Sequence, residues 1–513
     1  MPRKWWTLLA VCTGVFMLLL DITIVNVALP DIQHAFKASL SDLQWVIDAY
    51  ALSLAALLLT AGSIADLAGR RLVFAVGIVV FTVGSTLCGL AGDATFLSLS
   101  RALQGIGGAI MFATSLALLA DAFEPRERGT AFGVFGAVTG IAVAVGPVIG
   151  GAITSGLSWR WIFFVNVPIG ILALVVTLVR VRESRAPVAR RPDWLGFVTF
   201  TGALTALVFG LIRSHPDGWG SKTVVGSLVT AGLLLGVFLV VETRSRAPML
   251  DLGLLRVPTF NGGLIAAFAI SASIFSLLTY IVLYLQGVLG YSAIQTGLRL
   301  LPLTLAIFVT AGIAGRLSSR VPVRWLIGPG FALVAVALLL MRGLSAGDSW
   351  TYLLPGMILA GAGVGLVNTP LASTAVGVVE PARAGMASGI NSTLRQVGIA
   401  TGVATLGSVL ASRVHSSVLG HLSTGPLAAH AHSLASAVGD GRAAQAVRST
   451  PAPLRGVVGH AARAGFVEGL ATIILIAAIV AALAAFAAVA LIRRRDFVGA
   501  ETGKTPALDA AAA

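Results

Sequence analysis

The sequence predicts an all-α membrane protein: two six-helix bundles with a helix pair inserted between them. Composition and run length carry this. Of 513 residues, 57% are hydrophobic and only 11% charged, where soluble domains carry about 25% charged residues. Mean hydropathy is +0.93. Apolar runs recur at roughly the 20 residues a spanning helix needs. Inside a bilayer the backbone must satisfy its own polar groups, so these runs are helices and not lipid-exposed strands or loops.

By that length criterion there are about fourteen spans. The first six lie near residues 5–29, 42–63, 72–91, 96–120, 129–151 and 160–180. The inserted pair lies near 194–213 and 223–242, and the last six near 259–287, 293–314, 325–343, 350–378, 385–411 and 465–491. The expected units are therefore 1–181, 194–243 and 259–492, with an extracytoplasmic loop at 413–464 and a cytoplasmic tail at 493–513. The first run is too long for the apolar core of a signal peptide and is read as a retained span.

The net charge of +14 reports topology. Arg70, Arg71, Arg126, Arg128, Arg180 and Arg316 fall on the face of the N-terminus, and the other face has few bases in its short loops, among them Lys37, Arg160 and Lys222. Such asymmetry places both termini in the cytoplasm and removes any need for a nucleic-acid partner. Arg-, Ala- and Gly-rich usage looks like a high-GC bacterial gene, so the membrane expected is a bacterial inner (cytoplasmic) membrane. Cys12 and Cys88 sit in apolar runs as buried thiols, neither a disulfide nor a metal site. Residues 413–464 break the charge rule and hold His415, His421, His430, His432 and His460. Long loops cross with less regard for charge, and this one reads as a solvated Ala/Ser/Gly-rich loop sooner than as a metal or pH site.

Traces of a parallel repeat support two bundles. Glu124–Gly129 reads EPRERG and Glu380–Gly385 reads EPARAG, and the same offset aligns Gly105 and Gly107 with Gly361 and Gly363. The turn GSIADLAGRR has a weaker echo in GIAGRLSSR. Two related bundles about a midplane cavity are an alternating-access design.

The chemistry concentrates in the first bundle. Asp21 is the only charge in Trp5–Leu29. Low dielectric disfavours the ionised form, and a carboxyl at membrane depth is a functional hypothesis by default. Asp48 and Arg101 fall at a similar depth, so the three are expected to form one proton-coupling set, with a permanent structural ion pair as the alternative. In Gly140–Gly151, GIAVAVGPVIGG, Pro147 should bend the helix and Gly140, Gly146, Gly150 and Gly151 should admit a close neighbour. In the turn Gly62–Arg71, Gly62, Asp66, Gly69, Arg70 and Arg71 form a candidate gating latch whose bases pair across the bundle interface, or else a topology-setting basic loop. Asn26, Tyr280, Tyr284, Gln286, Asn368, Asn391, Arg395 and Gln396 are candidate cavity contacts, each of which could instead bridge helices. Arg299 lines the cavity or snorkels. No phosphate-binding loop, zinc cluster or ATPase domain stands out, so no cofactor is expected and a proton gradient is the energy source.

These segments resemble the major facilitator superfamily, specifically its 14-span drug:proton antiporter family. LDITIVNVALP (Leu20–Pro30), GSIADLAGRR, LSLSRALQGIGGA (Leu97–Ala109), GIAVAVGPVIGG, WRWIFFVNVPIG (Trp159–Gly170) and GMASGINSTLRQVG (Gly385–Gly398) carry the likeness. It implies the major facilitator fold and efflux of amphipathic compounds, often cationic, in exchange for protons. It matches Asp21 and Asp48 to the family's acidic positions, Arg101 to its proton-relay arginine, and Asp66, Arg70 and Arg71 to its latch. Leu67 departs from the usual Arg, and the last six spans have no carboxylate well inside a span. The expectation is a non-enzymatic, monomeric exporter of hydrophobic or amphipathic drugs or natural products, neutral or monocationic, with dications poorly carried. The alternatives are a metabolite, self-made antibiotic or lipid exporter of the same fold and, more remotely, a membrane-embedded enzyme or a sensor.

Overall fold

The computed structural model describes residues 2–124, 127–185, 193–245, 248, 250–318, 320–345, 347–379, 384–424 and 426–497. Among them the regular structure is helical throughout. The chain runs α1 (Arg3–Phe36), α2 (Leu40–Ala68), α3 (Arg70–Gly89), α4 (Ala94–Ala122), α5 (Arg128–Gly156), α6 (Trp161–Phe164) and α7 (Asn166–Arg180). Then come α8 (Trp194–Asp217), α9 (Lys222–Arg244), α10 (Pro258–Ile270), α11 (Ser276–Leu283), α12 (Ala293–Leu317) and α13 (Arg324–Met341). The last are α14 (Leu354–Gly377), α15 (Ala384–Leu422), α16 (Ala431–Gly439), α17 (Ala443–Ser449) and α18 (Arg455–Leu491).

Among the described residues, twelve helices are long and apolar enough to cross a membrane, or up to thirteen with the bent α5 taken as one span. The expected fourteen is not reached on this criterion. α2 is not among these helices.

Polar turn residues cut the apolar runs into helices. Ser39 and Asp42 exchange hydrogen bonds at the start of α2, with Asp42 N to Ser39 Oγ at 3.2 Å. Ser292 and Gln295 do the same for α12, and Asp93 accepts from Phe96 N at 2.8 Å to cap α4. Each side-chain oxygen satisfies an N–H that the helix leaves open. Gly69 turns α2 into α3 at φ 120°, where a side chain would also strike Glu183. α10 and α11 belong to one span, Pro258–Val288, widened by π-helical turns at Ser271–Phe275 and Tyr284–Val288. Ser276 Oγ fills the first by donating to Ser271 O, five residues back, at 2.9 Å.

The two halves pack alike. α4 lies on α2 and α3 as α14 lies on α12 and α13, and α3 meets α7 as α13 meets α18. The repeated glycines do the same work in each half. A methyl group on Gly105 would meet Tyr50 O of α2, and one on Gly361 would meet Leu303 O of α12. Gly107 faces Phe81 of α3, and Gly363 faces Gly330 and Val334 of α13. α8 and α9 pack on one another, and α8 leans on both α2 and α15.

Residues 413–464 are not a solvated loop. α15 continues to Leu422 and α18 starts at Arg455, with α16 and α17 between them. Val414, Val418 and Leu422 of α15 are buried in one cluster with Leu434, Val438 and Val458. Ala-rich sequence is strong helix former, and this apolar stripe gives the helices a face to bury. The resulting cap reaches the first half, where Leu40 N donates to Asp440 O at 2.7 Å and Gln33 Nε2 to Gly441 O at 3.0 Å. His415 and His432 lie ring to ring at 6.3 Å, and no metal-binding group is present among the described residues.

The end of the molecule that carries this cap, where α1 passes into α2, is called distal. Among the described residues, the hydrogen bonds that join the two halves all lie toward it. Thr279 Oγ1 donates to Asn26 Oδ1 at 3.2 Å, Gln286 Nε2 to Val27 O at 2.8 Å, and Ile294 N to Ser155 Oγ at 3.0 Å. The distal end is therefore closed by this seam.

Candidate proton and substrate site

Asp21 lies 1% exposed where α1, α3, α4 and α7 converge. Arg101 of α4 donates Nη1 to Asp21 Oδ2. Asp21 Oδ1 accepts from Gln104 Nε2 at 2.8 Å and from Asn166 Nδ2 at 3.3 Å. All three contacts are donors, the arrangement that an ionised carboxylate takes. Arg101 is itself held on other sides. Its Nε donates to Val46 O at 3.2 Å, Nη1 to Gln104 Oε1 at 2.6 Å, and the Tyr50 ring lies 4.2 Å from its guanidinium carbon. Asn166 is positioned in turn by Ser85 Oγ at 3.0 Å, and Ser85 donates to Phe163 O at 2.9 Å.

Gln104, Asn166 and Ser85 were not among the expected site residues. Gln104 stands three residues after Arg101, on the same helix face. Asn166 opens α7 after the break that ends α6. Two of the quoted motifs contain Gln104 and Asn166, and the signal is an amide in otherwise apolar sequence, while Ser85 lies outside every motif.

Asp48 does not join this network. Residues 48 and 50 differ by about 200° around a helix of 3.6 residues per turn, so Asp48 and Tyr50 look opposite ways. Asp48 shares its side of α2 with Gln44, one turn earlier, whose Nε2 donates to Tyr280 Oη at 3.4 Å and to Val403 O at 3.2 Å. Asp48 is within electrostatic range of Tyr280. It is 0% exposed, and neither carboxyl oxygen has a hydrogen-bond partner. The expectation of three charges in one cluster fails because depth along a helix says nothing about azimuth.

α5 bends by 41° between Val134–Ala142 and Val145–Gly156. Gly146 and Gly150 admit Thr23 and Ile24 of α1, while Gly151 abuts Ala293 and Ile294 of α12. Gly297 of α12 returns the contact against Pro147 O. Gly140, nearer the other end, has only Phe308 near it, at 3.9 Å.

The turn after α2 is pinned within its own half. Arg70 N donates to Ser184 O at 2.9 Å and Arg71 N to Glu183 Oε1 at 2.9 Å, with Arg71 Nε 3.8 Å from Glu183 Oε2. The described partner of Arg71 thus follows α7 in the same half and does not lie across the interface as the latch reading required. The Asp66 side chain lies outside the described residues. A Cβ on Gly62 would meet nothing within 4 Å.

The expected cavity contacts divide. Asn26, Tyr280 and Gln286 bridge helices, with Tyr280 Oη donating to Val403 O at 2.5 Å. Tyr284 is buried with its hydroxyl unpartnered. Arg395 donates to Asn368 Oδ1, and Asn391 is buried with Oδ1 unpartnered. Gln396 is partly exposed. Arg299 lies over the Tyr291 ring at 3.7 Å and near Trp350 at 5.3 Å, the pattern of a snorkelling base near a membrane face. A cavity of about 500 Å³ that the sequence did not indicate opens between α2, α4 and α8, lined by Asp42, Trp45, Ser53, Ser98 and Thr201.

Residues 11–403 match the Major Facilitator Superfamily. The chain is 39% identical over 417 residues to the Multidrug resistance protein Stp of Mycobacterium tuberculosis, covering 81% of this chain and 78% of that one. It is 40% identical over 413 residues to the Puromycin resistance protein pur8 of Streptomyces alboniger, covering 80% and 82%. With the Tetracenomycin C resistance and export protein of Streptomyces glaucescens it shares 37% over 413 residues, covering 80% and 77%. Among solved structures, a bacterial homologue of the human lysosomal transporter Spinster, inward-facing and occupied, aligns with TM-score 0.66 over 97% of this chain and 99% of that one. At 17% identity this is a likeness of fold.

Proposed function

Because the chain belongs to the major facilitator superfamily, a family of transporters and not of enzymes, we propose that it is a proton-coupled antiporter that exports hydrophobic or amphipathic drugs or natural products. It works as a monomer in a bacterial inner membrane, with both termini in the cytoplasm and a proton gradient in place of any cofactor. The observation that carries the reading is the contrast between Asp21, held by three donors, and Asp48, buried with none.

With the termini cytoplasmic, the closed distal end faces outward, and this conformation is inward-facing. A charged carboxylate without a partner in the seam would cost several kcal/mol, so Asp48 carries its proton while the seam is shut. Loss of that proton leaves an ion between α2 and α15 and favours their parting, which opens the outer face. Asp21 and Arg101 form the second element, a buried pair that a proton can divide. Proton release and outward opening are coupled in the direction an exporter needs.

The test uses inverted membrane vesicles. An inward-acid gradient should drive uptake of a monocationic dye, and Asp21→Asn should abolish it. Undiminished gradient-driven uptake in Asp21→Asn rejects the coupling role. With two buried carboxylates, at least one engaged with protons, a dicationic dye should accumulate poorly in the same assay. Likeness to the tetracenomycin C export protein favours a narrower reading, export of an antibiotic the cell itself makes. Deletion in the producing strain should then raise the intracellular level of that product.

A further inference from the structure

Arg395 is a cation at membrane depth with no acid to answer it. It stands eleven residues past Ala384 in α15, about 16 Å along the helix, near the middle of a hydrocarbon core about 30 Å thick. A charged side chain there is costly and is ordinarily paired or aimed into a water-filled cavity. Its described hydrogen bond goes to the neutral amide oxygen of Asn368 on α14.

Among the described residues, no acid of its own half reaches it. Asp348 lies between α13 and α14, and Glu468 of α18 is exposed, beside glycines that pack on Leu410 and Val414, about four turns beyond Arg395. Asp21 is committed to Arg101. Asp48 shares the α15-facing side of α2 with Gln44, but neither of its carboxyl oxygens has a hydrogen-bond partner, so it makes no hydrogen bond to Arg395. Arg395 is only partly buried, so part of its guanidinium side chain stays accessible to a ligand. Asn391, one turn back along α15, keeps a buried carbonyl oxygen without a donor. The three side chains offer one unneutralised guanidinium, one unfilled acceptor and one amide holding the guanidinium in place.

A guanidinium presents paired N–H groups that match a carboxylate or another resonance-delocalised oxyanion. The unfilled acceptor beside it suits a hydroxyl next to that oxyanion. We propose that Arg395, Asn368 and Asn391 form a subsite for an acidic group of the cargo, a carboxylate or an ionised phenol. This rests on the export reading above and extends its cargo from neutral and cationic compounds to amphipathic acids and zwitterions.

The probe is a matched pair, rhodamine B with its free carboxylate and its ethyl ester, which share one aromatic cation. Binding to the purified full chain is read by fluorescence anisotropy, and gradient-driven uptake by inverted vesicles. The wild type should bind the acid about tenfold more tightly than the ester, the scale of one charge-assisted hydrogen bond. Arg395→Gln should collapse that ratio to near one, and Arg395→Lys should restore part of it. If Arg395→Gln does not fold, Asn391→Asp sets a carboxylate beside the guanidinium and should lower the ratio in its place. Equal affinity for acid and ester in the wild type overturns the subsite, as does a ratio unchanged in Arg395→Gln or in Asn391→Asp. Gradient-driven uptake of the ester without any acid preference rejects the subsite alone, whereas no gradient-driven uptake of either dye rejects the export reading.

Discussion

The surroundings of Asp21 and of Asp48 differ in a way that their shared residue type conceals. Both carboxyls are buried in the first half of the chain at similar depth. Asp21 meets a guanidinium and two amides, while Asp48 meets no donor. An acid that is fully answered holds a bundle together. An acid that is unanswered sets a condition on when its surroundings can stay closed. The first belongs to the interior of one half and the second to the seam between halves, which is why proton exchange at each has a different consequence.

The sharpest way to break this comparison is to remove a partner from each. Arg101→Met strips Asp21 of its counter-ion, and breaking a buried pair in this way costs about 3–5 kcal/mol. Asp48→Asn exchanges one neutral polar group for another of the same shape and should cost about 1 kcal/mol or less. Thermal unfolding of the two purified variants measures the difference, and equal losses would mean that Asp48 has a partner after all. A middle-sized effect is expected from Gly151→Leu, which forces a side chain against Ala293 and Ile294. Overpacking costs about 1–3 kcal/mol, borne only by the seam-closed state. The distance between spin labels at Lys37 and Arg342 should lengthen, and an unchanged distribution would show that α5 and α12 do not form the seal. The smallest effect separates Gln104 from Gln44, with about 1 kcal/mol per hydrogen bond at stake in each. Gln104→Leu should lower unfolding temperature with the spin-label distance unaltered, and Gln44→Leu should lengthen that distance with little change in unfolding.

Much of this was legible beforehand, and the limits have physical causes. Long apolar runs announce spanning helices because the bilayer fixes their length. The approach of Arg101 to Asp21 followed from two charges at one depth, where solvation by water is absent. The facing of Asp48 did not follow, since the side of α2 turned toward α4 is decided by packing, through Gly105 against Tyr50. Gln104 and Asn166 carry no charge and so drew no attention in sequence, yet they complete the coordination of Asp21. The π-helical turn at Ser271–Phe275 depends on hydrogen-bond register, which composition does not encode. The stretch 413–464 reads as a loop because alanine and serine suit loops and helices alike, and only the stripe Val414, Val418 and Leu422 distinguishes them.

The bonds across the seam are mostly one-sided. Gln44, Tyr280, Gln286 and Gln33 each reach across, or along it, to a main-chain carbonyl: Val403 for the first two, then Val27 and Gly441. A main-chain acceptor is present whatever residue occupies the position. Substitution at Val403 or Val27 therefore leaves the acceptor in being, while substitution of a donor removes the bond; Gly441, at φ 81° and with Gln33 Nε2 2.7 Å from where a Cβ would stand, is the exception. Natural variation can adjust this closure from the donor's side alone, without matched changes opposite, so relatives with divergent cargo can retain the same shut state while its strength drifts one residue at a time.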